Sequence, residues 1–205
     1  MKRNCLYVAA LALMAAVLTA CCGNGCKADG KDTAEAVLAN IASRKSVRHF
    51  VEGKEVSKAD LETLVKAGMA APTARNSQPW EFYIVSTPET KQALEAGLPY
   101  AKMLAQAPAA IVVCGNVEYM LDGEGREFWV QDCSAATENI LLAAEAMGLG
   151  AVWTGAYPGR DRVKTVQEAL SLPSTHLPLC VIPVGYPTGE DQPKDKYKAD
   201  RIHWK

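Results

Sequence analysis

The sequence predicts an α+β fold, a central mixed or antiparallel sheet flanked by helices. Three observations lead there. Short apolar or β-branched runs alternate with longer segments of helical periodicity. The alternation does not fall into regular βαβ units, and no Gly-x-Gly-x-x-Gly follows a strand, so a doubly wound dinucleotide fold has no support. The chain of 205 residues is 49% hydrophobic, enough for one sizeable core, and it shows no internal repeat.

The N-terminus reads as a targeting segment. Lys2 and Arg3 make a basic start, and residues 6–18 form an apolar run too short to span a bilayer. Leu18-Thr19-Ala20-Cys21 follows and resembles the bacterial lipobox, in which cleavage before the cysteine leaves it carrying acyl chains. The alternative is an ordinary secretory signal. On the first reading residues 1–20 are removed, Cys21 is the lipidation site and residues 21–32 are a Gly-rich polar tether. Several acyl chains anchor a protein stably to a membrane. The predicted location is the cell envelope, facing the periplasm or exterior, with residues 33–205 as the folded domain.

Residues 33–43 have helical periodicity, with Thr33 placed as N-cap. Residues 56–71 form a stronger helix: Ser57 caps it, Leu61, Leu64, Val65 and Gly68 share one face, and Pro72 ends it. A polar loop occupies 72–79, and the aromatic and β-branched run 81–86 is a strand. Residues 89–96 are helical, and 99–107 hold a short helical piece. The continuous apolar run 109–114 reads as a central strand. Residues 115–125 are a loop, and 127–147 form the longest helix, closed by Gly148. Its broad small-residue face suits a core or a dimer seam. A strand at 151–155, a helix at 161–170 and a last strand at 179–184 follow. Residues 186–198 are polar and Pro-rich, and read as an arm lying on the surface or on a neighbour.

Charge limits the partners. Lys2 and Arg3 are two of the 22 basic residues, and the first 20 residues hold no acid. The remainder therefore carries 20 cations against 23 carboxylates, a net of −3. That argues against a nucleic-acid partner. Of seven cysteines, Cys114, Cys133 and Cys180 sit in apolar runs and read as small buried hydrophobes. No metal-ligand spacing occurs.

Four separated stretches carry the chemistry. Arg44-Lys45-Ser46-Val47-Arg48 packs three cations and a hydroxyl into five residues. These can bind a phosphate, or they can be solvated cations at a helix end. Lys194 and Lys196 join them if the tail folds back. The loop Pro72-Thr73-Ala74-Arg75-Asn76-Ser77-Gln78-Pro79 offers the amides of Asn76 and Gln78, which donate and accept at a ring edge. Trp153-Thr154-Gly155 offers a flat wall, a hydroxyl and a close backbone approach. Together these supply what a flavin mononucleotide needs.

The same stretches resemble the signatures of the nitroreductase family of FMN-dependent oxidoreductases, from about Ile41 to Trp204. Arg-Lys-Ser-Val-Arg looks like the family's opening element. Ala-Pro-Thr-Ala-Arg-Asn-Ser-Gln-Pro-Trp-Glu-Phe is very similar to its second signature and is the most specific piece. Gly-Leu-Gly-Ala-Val-Trp-Thr-Gly looks like its third. The resemblance implies an interwoven homodimer with two FMN sites at the interface. It assigns cofactor contacts to Arg44, Lys45, Ser46 and Arg48. It adds Pro72, Thr73, Ala74, Asn76 and Gln78, usually from the other subunit, then Trp153, Thr154 and Gly155, and Lys194 with Lys196 at the phosphate. Many members have a Glu-Gly pair in the third stretch, so the donor to flavin N5 is not assigned.

The implied activity is ping-pong reduction of an electron-poor small molecule, a nitroaromatic or quinone, with NAD(P)H as the family's usual donor. Nicotinamide cofactors are not expected to be plentiful outside the cytoplasm, so either the donor is a different one, such as a membrane redox partner, or the lipobox reading fails. No side chain need act as acid or base, and none is named as catalytic. The alternatives are other FMN chemistry on this fold (dehalogenation, enone reduction, flavin breakdown) and a lipoprotein that holds flavin without turnover. Trp80 and Phe82 read as core residues of a strand. Asp132 reads as the residue that opens the long helix, where a carboxylate suits the dipole, with a substrate-pocket role as the alternative. His49, His176 and His203 read as ordinary polar or half-buried residues. Ser46 and Ser77 have no His beside them and are not nucleophile candidates. Arg75 and residues 116–126 are the expected substrate-facing loops.

Overall fold

The structure is a computed structural model, and it describes residues 30–205. Cys21 and the expected signal and tether lie outside them, apart from residues 30–32. The described residues divide into two units, 30–37 and 38–205. Helix α1 (Gly30–Ser43) buries no residue and leaves Val37, Leu38 and Ile41 exposed. It is helical from the first described residue, so Thr33 lies inside the helix and is not its cap. No helix among the described residues is long and apolar enough to cross a membrane.

The second unit holds α2 (Lys58–Met69), β1 (Trp80–Val85), α3 (Pro88–Gly97), β2 (Ala109–Asn116), α4 (Phe128–Ala146), β3 (Gly150–Ala151), β4 (Thr154–Gly155), α5 (Arg160–Leu170) and β5 (His176–Gly185). The strands form one five-stranded sheet, every pairing antiparallel, in the order β1-β2-β5-β3, with β4 also on β5. Side chains of a strand alternate between faces, so a strand covered on both sides must be apolar throughout. In β2, Ala109, Ile111 and Val113 join one core, and Ala110, Val112 and Cys114 join the other. Helices α2 and α4 cover the first face; α3 and α5 cover the second.

Local signals account for the helix ends. Ser57 Oγ accepts from the Asp60 N–H at 3.0 Å and caps α2. Pro88 opens α3, where a missing N–H costs nothing. Gly148, at φ +69°, follows the end of α4 in a conformation that favours glycine. The thiols of Cys114, Cys133 and Cys180 are free and buried, as expected.

The last strands depart from expectation. β5 begins three residues earlier than the apolar run, because it passes through Pro178, a residue that normally argues against a central strand. A bulge there leaves Leu179 outside the β2 register, and its carbonyl accepts from the N–H groups of Ala156 and Tyr157. The expected strand 151–155 is broken into β3 and β4 around Val152 and Trp153. Both halves keep one register on β5, and the break faces Pro183, which has no N–H to donate.

Residues 44–48 are fixed to this edge. The Val47 N–H donates to Ala151 O at 3.0 Å, and its side chain is buried directly over Gly150. A Cβ on Gly150 would lie 2.5 Å from Val47 Cγ1 and 2.8 Å from its Cβ. Gly150→Ala is therefore expected to cost about 1–3 kcal/mol through overpacking. In a thermal melt that is a fall of roughly 2–12 °C for a domain of this size. An unchanged melt would mean that the Val47 contact is looser than described.

Candidate functional site

The expected return of the tail is visible in the backbone. Phe50 bridges to Pro187, the Val51 N–H donates to Tyr186 O at 2.9 Å, and the Thr188 N–H donates to His49 O at 3.1 Å. Asp191 then closes the latch. Its Oδ2 accepts the N–H groups of Arg48 (2.8 Å) and His49 (3.1 Å) and lies 3.2 Å from His49 Nδ1. Burial raises the Asp191 pKa, but these hydrogen bonds and the neighbouring imidazole outweigh it and hold the carboxyl below its ordinary value. His49 thus has a specific partner that its sequence surroundings did not reveal.

The returned tail and residues 44–48 enclose an open recess of about 460 Å³. Arg44, Lys45, Ser46, Arg48, Lys194 and Lys196 line it, together with Glu190 and Asp191. Two of the cations are oriented from α4. Arg44 Nε lies 3.0 Å from Glu138 Oε1, and Lys45 Nζ lies 3.0 Å from Glu145 Oε1. Glu138 and Glu145 carry no signal in the sequence that links them to residues 44–45. The Glu145 pairing holds both oxygens of the carboxylate on Lys45, whereas Arg44 retains its terminal nitrogens for a second acceptor. Lys194 and Lys196 have no carboxylate partner among the described residues.

A second recess adjoins through Arg48, which lines both. Its wall includes Trp153, Thr154 and Gly155, with Tyr100, Lys102 and Met103 opposite. Thr154 is buried, and its hydroxyl donates to Val181 O at 2.6 Å. That side chain serves the sheet, so a polar contact from Thr154 or Gly155 must come from backbone. Gly155 is open: a Cβ there would meet only Tyr157 O, at 4.0 Å.

The 72–79 loop lies apart from these two recesses. Arg75, Asn76 and Gln78 all have left-handed backbones, at φ +52°, +57° and +48°. Each such non-glycine residue costs on the order of 1–3 kcal/mol and persists only when its surroundings enforce it. The loop ties itself together: the Gln78 N–H donates to Thr73 Oγ1 at 3.1 Å, and Gln78 Nε2 donates to Asn76 Oδ1 at 2.9 Å. That bond leaves the amide donor Asn76 Nδ2 and the acceptor Gln78 Oε1 without a hydrogen-bond partner among the described residues. Ser77 Oγ is buried and has no hydrogen-bond partner among the described residues. Pro72 and Ala74 contribute backbone; the Ala74 N–H donates to Asp132 Oδ1 at 2.9 Å.

Asp132 is another residue that sequence reasoning placed wrongly. It lies one turn inside α4, buried among core residues, and it does not stand at the helix start. A carboxylate at an inward position of an apolar helix face is the signal that marks it. Arg75 shares a recess of about 420 Å³ with Leu121, Asp122, Glu124, Gly125 and Phe128. The two expected substrate-facing segments thus meet, although Asn116 itself ends β2 and is buried, its amide on Glu81.

Elsewhere, the Tyr83 hydroxyl is hydrogen-bonded to His176 Nδ1. Burial pushes the Cys180 thiol up to about 12 and raises Cys114 and Cys133 further, so none is a nucleophile near neutrality. No group of residues that could hold a metal ion occurs among the described residues.

Comparison with known proteins gives a consistent set of matches. The model of the nitroreductase family matches residues 41–98 and 90–186. A protein of Archaeoglobus fulgidus, provisionally assigned as an NADH dehydrogenase/NAD(P)H nitroreductase, is 41% identical over 172 residues, covering 82% of this chain and 97% of its own. A solved structure with the same provisional assignment, from Bacteroides thetaiotaomicron, is 50% identical with a TM-score of 0.77, covering 82% of this chain and 96% of that one. A provisionally assigned nitroreductase from Desulfovibrio desulfuricans, solved in complex with FMN, is 27% identical with a TM-score of 0.72 over 82% of this chain and 96% of that one.

Proposed function

The chain belongs to the nitroreductase family, and from that premise we propose that it is an FMN-dependent oxidoreductase that passes electrons from NAD(P)H to an electron-poor small molecule. One observation carries the reading: the tail returns to residues 44–48 and gathers five cations and Ser46 around a single recess. An FMN phosphate is a dianion with several acceptor oxygens, and a fork of Arg44 with Lys194 and Lys196 suits it.

The donor set also fits the rest of the cofactor. The pyrimidine edge of a flavin sets carbonyl acceptors beside a ring N–H, and the Asn76–Gln78 pair keeps a donor in Asn76 Nδ2 and an acceptor in Gln78 Oε1 beyond their mutual bond. Gly155 has room for close approach, and Trp153 supplies an apolar surface. Ser77 Oγ, a buried polar atom with no hydrogen-bond partner among the described residues, belongs to the same loop. The loop and the cationic recess line different cavities of one protomer, which supports a homodimer in which each site draws on both chains. The exposed side chains of Leu38, Ile41, Tyr197, Ile202 and Trp204 are available for such a contact.

Bound FMN supplies reversible hydride acceptance. The chain's own part is placement. Arg44, Arg48 and the tail lysines hold the phosphate end. The Asn76 loop fixes the ring edge, and its amide donor stabilises negative charge there. The walls at Trp153 and Arg75 leave space for donor and acceptor in turn. No side chain is asked to transfer a proton.

We also propose that the protein is lipid-anchored through Cys21 in the cell envelope. The support is the order of basic start, apolar run, small residues and cysteine. Incorporation of labelled fatty acid is expected in the native chain and lost in Cys21→Ala. For the cofactor, protein purified as a dimer should be yellow. Heat should release FMN at about one per chain, since each protomer carries one cationic recess. Colourless protein that fails to quench added FMN would defeat the reading.

A further inference from the structure

We propose that Asp132 is a positioning residue. Its carboxylate holds the 73–78 loop in the strained form that presents Asn76 and Gln78. The proposal rests on the flavin reading for what the loop touches, but not for the clamp itself. Asp132 is 6% exposed, and no cation pairs with it among the described residues. A buried carboxylate without a partner is strongly disfavoured, so its single hydrogen-bonded contact has to matter. That contact is the Ala74 N–H at 2.9 Å, the first N–H of the loop's short helical turn and 58 residues away in sequence.

The loop needs such a clamp. Three of its residues hold left-handed backbones that a free chain would abandon. The bonds within the loop, Asn76 N–H to Thr73 O and Ser77 N–H to Ala74 O, both at 3.1 Å, move with the loop and cannot locate it. Among the described residues, two hydrogen bonds tie its ends to the domain. At its exit the Asn116 N–H donates to Pro79 O at 2.6 Å, and at its entry stands Asp132. Entry and exit are therefore fixed independently, and only the entry depends on a side chain.

Three variants test this. Asp132→Leu removes the acceptor. Asp132→Asn keeps an acceptor oxygen at the same place. Ala74→Pro deletes the donor instead, at a position that accepts proline: it opens the turn, and Thr73 before it is extended at φ −135°, ψ 154°. In the full-length protein, hydrogen exchange at the Asn76 and Ser77 amides is expected to quicken at least about ten-fold in Asp132→Leu and in Ala74→Pro. Exchange in β1 and β2 should stay unchanged, and Asp132→Asn should remain within about three-fold of the native chain. With FMN bound, the first two variants should weaken affinity by a similar factor and alter the visible circular dichroism of the flavin. A merely structural role would lower the melting temperature without changing that spectrum. Native exchange rates in both Asp132→Leu and Ala74→Pro would overturn the proposal. If Asp132→Leu does not fold, Ala74→Pro removes the same bond from the other side. A native protein that binds no FMN would count against the flavin reading, and the exchange measurement would still decide the clamp.

Discussion

Replacing Arg44 with alanine is expected to weaken FMN binding by roughly 10–150-fold, the range for a charge-assisted hydrogen bond of about 1.5–3 kcal/mol. Arg44 is the residue of choice because it is held at the recess without being used up. Glu138 fixes its Nε, and the terminal nitrogens remain for a phosphate. Lys45→Ala should do less to the cofactor and more to the fold, since it frees Glu145, whose side chain is 14% exposed. Arg75→Ala is the control. It lies in a different recess, with the 121–128 segment. Its loss should change the Michaelis constant for the acceptor and leave FMN retention within about three-fold. Equilibrium titration by flavin fluorescence measures all three, and equal retention in the Arg44 and Arg75 variants would sink the phosphate assignment.

Asp191→Asn is the second large change, and it acts on placement. The carboxylate bonds the N–H groups of Arg48 and His49, and the segment that carries Lys194 and Lys196 into the recess follows directly. Weakening the latch should lower FMN affinity about ten-fold by releasing two cations. It should also flatten the dependence of affinity on salt, because fewer charges then face the phosphate. The pH dependence has a definite sign. The docked tail holds Asp191 below its ordinary value, so docking protects the deprotonated form. Its contribution is complete above the ordinary carboxylate pKa, near 4. It falls away as pH drops through the lower, docked value. The native protein should therefore lose FMN more steeply on acidification than Asp191→Asn. Parallel pH curves would show that the latch does not couple to the recess.

The parts of the fold that were legible in the sequence are those where one physical signal decides. Ser57 before an amphipathic run fixes the start of α2, and the apolar run around Ile111 to Val113 can only be a strand covered on both faces. The parts that were not legible depend on a partner far away in the chain. The expected last strand begins at Leu179, after Pro178, yet β5 begins at His176 and runs through that proline. A bulge carries Leu179 out of register, and the gap in the neighbouring strand sits opposite Pro183. Thr154 offered a hydroxyl on paper, but Val181 O claims it.

The candidate site divides in the same way. Residue types and their order were sufficient to nominate Arg44 to Arg48, the Asn76 loop and the tail lysines as one constellation. They could not show that Glu138 and Glu145 orient two of the cations, that Asp191 latches the tail, or that Asp132 reaches Ala74. Each of these is a carboxylate whose partner lies 58 or more residues away, and nothing local in the sequence marks the pairing. They determine where the nominated groups stand.

The central claim is that the bound cofactor turns over. Anaerobic titration of the purified, FMN-loaded dimer with NADH and then NADPH tests it most directly. One of the two is expected to bleach the visible flavin band stoichiometrically, and an added quinone or nitroaromatic should restore it. A flavin that stays oxidised with both donors, or that once reduced by dithionite is not reoxidised by any acceptor, would contradict the account and leave a flavin-holding protein in place of an enzyme.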